Sequence, residues 1–411
     1  MKKIFLWSCM FFLLLVFFEA ASLLGLYALK EIRDIEYKPL SAKELMPEHK
    51  DILSDLIHNK LNYIKFSPTL GWKIKENGYS PLYKSNADGI RSDREYERTF
   101  SSNIVRIASF GDSFTHGDEV ENKDTWQSQM SAKKENLEVL NFGVGGYGLD
   151  QAFLRYKEDG LFYRPNIVLA GYMTENIARN VNAYRPFYFP ETAGPLAKPR
   201  FIVDGNGLEL LDNPIQKKEE YYRLLINPEK VLSRLGEKDF YYQTKYHKSA
   251  VDVLPSVRLF KILYYELFKE KVFNDGDYNV SSEAFKVTTK IFDEFVDTAL
   301  ENQSLPLILV FPNRLDLYRY GNFRTKGYQA LLDYFEDKEY LYVDLFDAFN
   351  KLGSGRHMDD FYAQAHYSPL GNELIASYLL SYLKDNNLLD QKSVYSKMHG
   401  YRSKLEKVRS N

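Results

Sequence analysis

Five short apolar runs set the limits on how this chain can fold. They are "IVRIASF" (104–110), "EVLNF" (138–142), "NIVLAGY" (166–172), "PLILVF" (306–311) and "YLYVDLF" (340–346). Each is rich in β-branched or aromatic residues and has the length of a strand. Helical stretches such as "KDTWQSQMSAKK" and "SEAFKVTTKIFDEFVDTAL" lie between them. A strand that is apolar along its whole length must be covered on both faces. The pattern therefore predicts a five-stranded parallel sheet in a three-layer α/β/α domain over 101–385. Ligands of such sheets bind beyond the carboxyl ends of the strands, so motifs that follow the runs should meet in one crevice.

The remaining segments are arranged around that domain. Residues 4–29 are apolar apart from Glu19 and a few small residues. About 20 residues cross a bilayer as a helix, and the run resumes at Leu23 after "EAAS". Residues 1–29 are therefore read as a retained single-pass signal anchor, with the catalytic domain outside the cytoplasm, in preference to a signal peptide cleaved after the small residues 20–22. Lys2 and Lys3 before the span are balanced by Lys30, Arg33 and Lys38 after it, so the flanking charges leave the orientation open. The only cysteine is Cys9, inside the span. A thiol-free domain tolerates an oxidising compartment. Residues 30–60 are expected to form a helical stalk and 61–100 a small β-rich preface. Residues 181–285 form an insertion or cap over the crevice, with a hairpin at 201–211 turning on Asp204-Gly205-Asn206-Gly207. The charged residues 386–411 are expected to be a loosely held tail.

Four features sit where chemistry is expected. The first run ends in Gly111-Asp112-Ser113. A serine in a tight strand-to-helix turn exposes its hydroxyl and its N–H together, so one residue can be nucleophile and oxyanion donor. The second run leads into "NFGVGGYGLDQ", whose glycines let the backbone approach a ligand. The third leads into "GYMTENIARN", with Glu175, Asn176 and Asn180. Near the C-terminus, His366 precedes Ser368 and Pro369, an N-cap and first helical position that start an amphipathic helix. His116, three residues past Ser113, would point away from the hydroxyl and takes a local or substrate-facing role. His357 lacks the helix-start context of His366.

In this order the four blocks resemble the SGNH hydrolase superfamily, the GDSL-like esterases and acylhydrolases, over about 104–380. The resemblance implies a flavodoxin-like sheet, Ser113 as nucleophile and His366 as base. It also implies an oxyanion hole built from the Ser113 N–H, the Gly146 N–H and the Asn176 amide. Asn176 rather than Glu175 is chosen because a carboxylate would repel a developing oxyanion. The family acid usually lies three residues before the histidine, where this chain has Ala363. Asp360, or less favoured Asp359, is the expected acid, with a Ser–His dyad whose ring is oriented by a backbone carbonyl as the alternative. "LGW" at 70–72 and "NADGIRSDREY" at 86–96 resemble a pattern ahead of some bacterial SGNH domains. Arg91 is expected to salt-bridge into the main domain, with contact to an anionic substrate as the alternative.

Taken together, the expected activity is that of a membrane-anchored serine esterase. It would act on an O-acyl, above all O-acetyl, group of a cell-envelope or exported polysaccharide. One alternative is an O-acetyltransferase using the same acyl-enzyme. Another is a catalytically silent carbohydrate-binding or assembly protein. A formal net charge of −2 gives no support for nucleic-acid binding. No His, Cys or acidic spacing suggests a metal site, and no cofactor is expected.

Overall fold

The computed structural model describes residues 2–40, 47–205, 207–352 and 357–410. The five runs form one parallel sheet: β1 (Val105–Phe110), β2 (Leu137–Asn141), β3 (Ile167–Met173), β4 (Leu305–Phe311) and β5 (Tyr342–Asp344), in the order β5-β4-β3-β1-β2. Every residue of β1, β3 and β4 is buried. This is what continuous apolar strands require when helices cover both faces. The registers Ala108↔Val168 and Leu309↔Gly171 bring the carboxyl ends of β1, β3 and β4 to the same edge.

The helices divide between the two faces. Met173 pairs with Phe311, so both side chains leave one side of the sheet, while Tyr172 leaves the other. Phe311 meets Trp126, the first residue of a helix over Trp126–Lys133, and also Tyr367, just before a helix over Pro369–Asp385. On the opposite side, Tyr172 packs edge-on against Phe292 of a helix over Glu283–Glu301. That helix also receives Phe153, from a helix over Leu149–Arg155, against its Phe295.

Two peripheral segments differ from expectation. The C-terminal segment is not loose. Residues Gln391–Ser410 form a helix that buries Val394, Met398, Tyr401 and Leu405. Their spacing of four, three and four makes one apolar stripe, which the high average charge hid. The Tyr401 hydroxyl accepts the Leu341 N–H beside β5. The stalk is not a free-standing rod either. A helix over Pro47–Ile57 buries Leu53 and Leu56, and the His49 ring donates to the Thr192 carbonyl. Residues 41–46 of that expected stalk, and Asn206 of the expected turn, lie outside the described residues. The hairpin itself forms, pairing Arg200–Asp204 with Gly207–Leu211.

The preface is a short hairpin, Ile64–Ser67 with Gly71–Ile74, locked onto the main domain by buried bonds. Trp72 Nε1 donates to the Gly145 carbonyl, Gln151 donates to the Leu70 carbonyl, and Arg155 donates to the Gly89 carbonyl.

Candidate active site

The site is built where β1 turns into a single helical turn, Ser113–His116. Asp112 caps it, its carboxylate accepting the Phe114 N–H at 3.0 Å. Gly117 ends it in the left-handed region with φ 81°, where a side chain is costly. The glycine-rich loop after β2 closes on this turn. A Cβ at Gly143 would lie 2.2 Å from the His116 nitrogen, so only glycine allows that approach. Gly146, φ 81°, faces the cleft from the same loop.

Arg91 organises the next stretch, and it ties the preface to the main domain through backbone carbonyls rather than through the expected salt bridge. It is buried, and its guanidinium donates to the carbonyls of His116, Gly117 and Val120 at 2.6 Å each. Its Nε donates to Asn122 Oδ1 at 3.0 Å. A planar fork of donors suits a ring of converging carbonyls.

The loop held in this way carries the residue that sequence reasoning missed. Glu119 has φ 73°, a left-handed backbone unusual for a residue with a side chain. Such strain persists only where the surroundings impose it. Its carboxylate faces His366 Nδ1 at 2.9 Å and accepts the N–H groups of Gln364, Ala365 and His366 at 2.7 to 3.2 Å. Burial works to raise the Glu119 pKa. The bonds from His366 and the three backbone donors outweigh it and hold the group below its usual value.

His366 is fixed from its other side by the local chain. Tyr362 and Tyr367 bridge, and the Ala363 N–H donates to the His366 carbonyl at 2.9 Å. Ser368 caps the following helix through the Gly371 N–H, as expected, and its hydroxyl donates to the Asp360 carbonyl. The His366 ring lies 5.0 Å, centroid to centroid, from Phe114, the residue after Ser113. Ser113 and His366 line one cleft of about 720 Å³ with Gly146 and Glu175.

Asp360 does not serve as the partner of His366. Its carboxylate accepts the His357 N–H at the start of a 3₁₀ turn over Met358–Phe361, and Asp359 pairs with Arg314. The turn points both acids outward, while Glu119, 247 positions before His366, occupies the place at Nδ1. A search for the acid close to the histidine in sequence could not reach it. The one available signal was that Glu119 lies six residues after Ser113 on the same loop.

His116 is buried and neutral. Burial first, then the Arg91 charge, lowers its pKa to about 4. Its Nδ1 faces Asp118, and its Nε2 lies 2.7 Å from the Tyr63 hydroxyl. With Asp118 ionised, Nδ1 carries the proton and Nε2 accepts from Tyr63. The result is a chain Tyr63–His116–Asp118 whose three members all line the cleft. A second hydrogen-bonded chain beside Glu119–His366 was not expected.

Asn176 is fully buried at the first turn after β3, and neither of its amide atoms has a partner among the described residues. It sits behind the cleft wall, which Glu175 and Arg179 line. Asn180 is occupied, accepting the Leu149 N–H and donating to Thr288. Glu175 accepts from the Tyr188 hydroxyl. The insertion supplies Arg185, Phe189 and Leu196 to the lining of the cleft. No group of acidic, His or Cys residues with metal-binding geometry occurs among the described residues.

No family model matches the chain, and no curated protein matches it. Several solved structures are similar to it. A protein from Desulfitobacterium hafniense DCB-2, assigned as lipolytic and of the G-D-S-L family, shares 13% identity at a TM-score of 0.33, covering 67% of this chain and 97% of that one. The lipase/acylhydrolase from Enterococcus faecalis shares 13% identity at a TM-score of 0.35, covering 69% and 96%. A catalytic mutant of an acetylxylan esterase from Geobacillus stearothermophilus shares 12% at a TM-score of 0.32, covering 67% and 92%.

Proposed function

We propose that the chain is a serine esterase of the SGNH type that acts through a Ser113 acyl-enzyme. The observation that carries this reading is His366, paired with Glu119 at Nδ1, lining the same cleft as Ser113. With Glu119 ionised, His366 is protonated at Nδ1 and presents Nε2 as a base. Ser113 Oγ attacks the ester carbonyl and its proton passes to Nε2. The tetrahedral intermediate collapses, and the departing alkoxide takes that proton. Water then enters by the same route and releases the acid, restoring Ser113. The Ser113 and Gly146 N–H groups are the proposed oxyanion donors; Asn176, the third expected donor, is fully buried and does not line the cleft. Loss of one such donor costs about 10²–10³ in turnover.

The substrate reading is an O-acyl, above all O-acetyl, group on a cell-envelope or exported polysaccharide. Aromatic rings of Tyr63, Trp72, Tyr83 and Phe189 line the cleft and suit the apolar faces of sugars. The apolar N-terminal helix over Lys2–Arg33 would hold the enzyme on the membrane, with the cleft on the extracytoplasmic side. Labelling with a fluorophosphonate probe tests the nucleophile. Wild type should label and Ser113→Ala should not. A folded wild type that fails to label overturns the reading in favour of a silent fold.

One observation favours transfer over hydrolysis as a second reading. The Tyr63–His116–Asp118 chain is a proton relay separate from Glu119–His366 and could take the proton of an acceptor sugar hydroxyl. Incubation with an acyl donor, with and without oligosaccharide, separates the two readings. Transfer predicts acylated sugar in excess of free acid.

A further inference from the structure

The N-terminal helix, labelled α1 (Lys2–Arg33), does not stand apart from the rest of the chain. It packs along a helix of the insertion, labelled α2 (Pro255–Phe268). Glu19, the one acid within the apolar run, accepts the Ser256 N–H at 2.9 Å and the Ser256 hydroxyl at 2.5 Å. It therefore caps the first turn of α2, where backbone donors are unpaired and the helix dipole favours an anion. Ser22 is buried at this contact region of α1, and a Cβ at Gly25 would lie 3.1 Å from Leu259. A carboxylate in a membrane span is costly and usually has a named partner, and here the partner belongs to the folded domain. A leader peptide destined for removal has no need of such contacts.

The outer face of α2 is open. Phe260, Leu263, Tyr264, Leu267 and Phe268 are 66%, 42%, 46%, 71% and 71% exposed, and Val253 just before the helix is 77% exposed. The helical positions fall at i, i+3, i+4, i+7 and i+8, one stripe of the helix. The opposite side is the attached one. Ile262 is buried, and Lys261 bonds the His247 carbonyl and Asp252. The charged residues of the helix, Arg258, Lys261 and Glu266, fall outside this stripe, and Lys269, Glu270 and Lys271 follow it. Contiguous exposed rings of this size on a soluble surface mark an interaction site. Their position beside the membrane-spanning half of α1 identifies the partner. Leu23 to Leu29 of the apolar run continue for about 10 Å past Ser22 at about 1.5 Å per residue, alongside α2.

We infer that α2 is a second membrane-contacting element, its Phe260–Leu267 stripe buried in lipid beside α1. The domain is then held at two points and cannot swivel freely on one helix. This inference rests on reading α1 as a membrane span.

The test uses full-length protein reconstituted into phosphatidylcholine–phosphatidylglycerol vesicles. A polarity-sensitive fluorophore is attached at the native Cys9, or, in a Cys9→Ser background, at Phe260→Cys, Leu267→Cys or Tyr395→Cys. Tyr395 is 54% exposed on the C-terminal helix and serves as the solvent reference. Brominated lipid should quench the label at Cys9, Phe260→Cys and Leu267→Cys severalfold more than iodide does, with the reverse at Tyr395→Cys. If Cys9 is lipid-quenched but Leu267→Cys responds to iodide, α2 lies outside the bilayer and the inference fails while the anchor stands. Shielding of Leu267→Cys from both quenchers means a protein contact and also overturns it. If Cys9 itself responds to iodide, the anchor reading fails and this inference falls with it.

Discussion

Replacing Glu119 with glutamine probes the site most directly, because the structure dictates how the new amide must sit. One carboxylate oxygen, Oε2, accepts three backbone N–H groups, from Gln364, Ala365 and His366, at 2.7, 3.1 and 3.2 Å. The other, Oε1, faces His366 Nδ1. In Glu119→Gln the single carbonyl oxygen must take the Oε2 place, since an NH₂ there would meet three donors. The NH₂ then points at His366 Nδ1 and requires it to be an acceptor. The ring proton moves to Nε2, the nitrogen that should accept from Ser113. The geometry survives in the wrong tautomer, and loss of the correct tautomer costs about 10⁴ in turnover in a comparable triad. That is about 5 kcal/mol of transition-state stabilisation at 1.36 kcal/mol per decade. KM should change little, because no substrate contact is removed. The assay is steady-state hydrolysis of p-nitrophenyl acetate, with thermal unfolding to confirm the fold. Asp360→Asn, which alters only the 3₁₀ turn, should stay within twofold of wild type. Activity of Glu119→Gln within tenfold of wild type, or a comparable fall in Asp360→Asn, would refute the assignment.

Other consequences can be measured independently. Arg91→Ala leaves the carbonyls of Gly117 and Val120 without their buried donor, while His116 keeps the Asn141 amide; at about 1–3 kcal/mol per orphaned group, urea unfolding should show a loss of at least about 2 kcal/mol. Burial lowers the His116 pKa below its unfolded value of 6.5 to about 4, so the unfolded chain binds the extra proton first. The stability this provides is complete above pH 6.5 and is lost as pH falls toward 4; melting temperature against pH should slope less steeply over that window in His116→Gln. Tyr63→Phe removes the hydroxyl from the second relay but leaves Glu119–His366 intact, so acyl transfer to an oligosaccharide should drop at least tenfold while release of free acid from p-nitrophenyl acetate stays within threefold. Equal losses in both would mean that Tyr63 only shapes the cleft. Glu19→Ala removes the cap of α2, which by comparison with ordinary N-caps costs about 0.5–2 kcal/mol; the full-length protein in detergent should melt a few degrees lower, and an unchanged melting temperature would mean the contact contributes nothing.

By itself the sequence determined whatever depends on periodicity and on short-range turn chemistry. Five apolar runs became five buried parallel strands because a strand without a polar face has no other stable place. Ser113 sits at the end of β1 and Gly146 in the loop after β2, and strand ends in a parallel sheet point to one edge. Ser368 and Pro369 start a helix wherever they occur in this pattern, which positioned His366. The hairpin at 201–211 was legible from its turn residues. Tertiary structure decided which carboxylate meets His366. Asp360 was near in sequence, but its own turn engages it, while Glu119 arrives from a distant loop whose strained backbone is held by Arg91. The Tyr63–His116–Asp118 chain also unites residues from two segments that no local pattern links. Residues 386–411 read as a loose charged tail and 30–60 as a helical stalk, because only a thin stripe of each is apolar and only a neighbouring surface shows where that stripe goes. Glu19 gave the same lesson inside the span. Its charge inside an apolar run calls for a partner helix, and the fold decides which one by placing the first turn of α2 beside it. Local free energies choose the elements, but hydrogen-bond partners are chosen by proximity in space, and proximity between residues 100 or more positions apart exists only once the chain has folded.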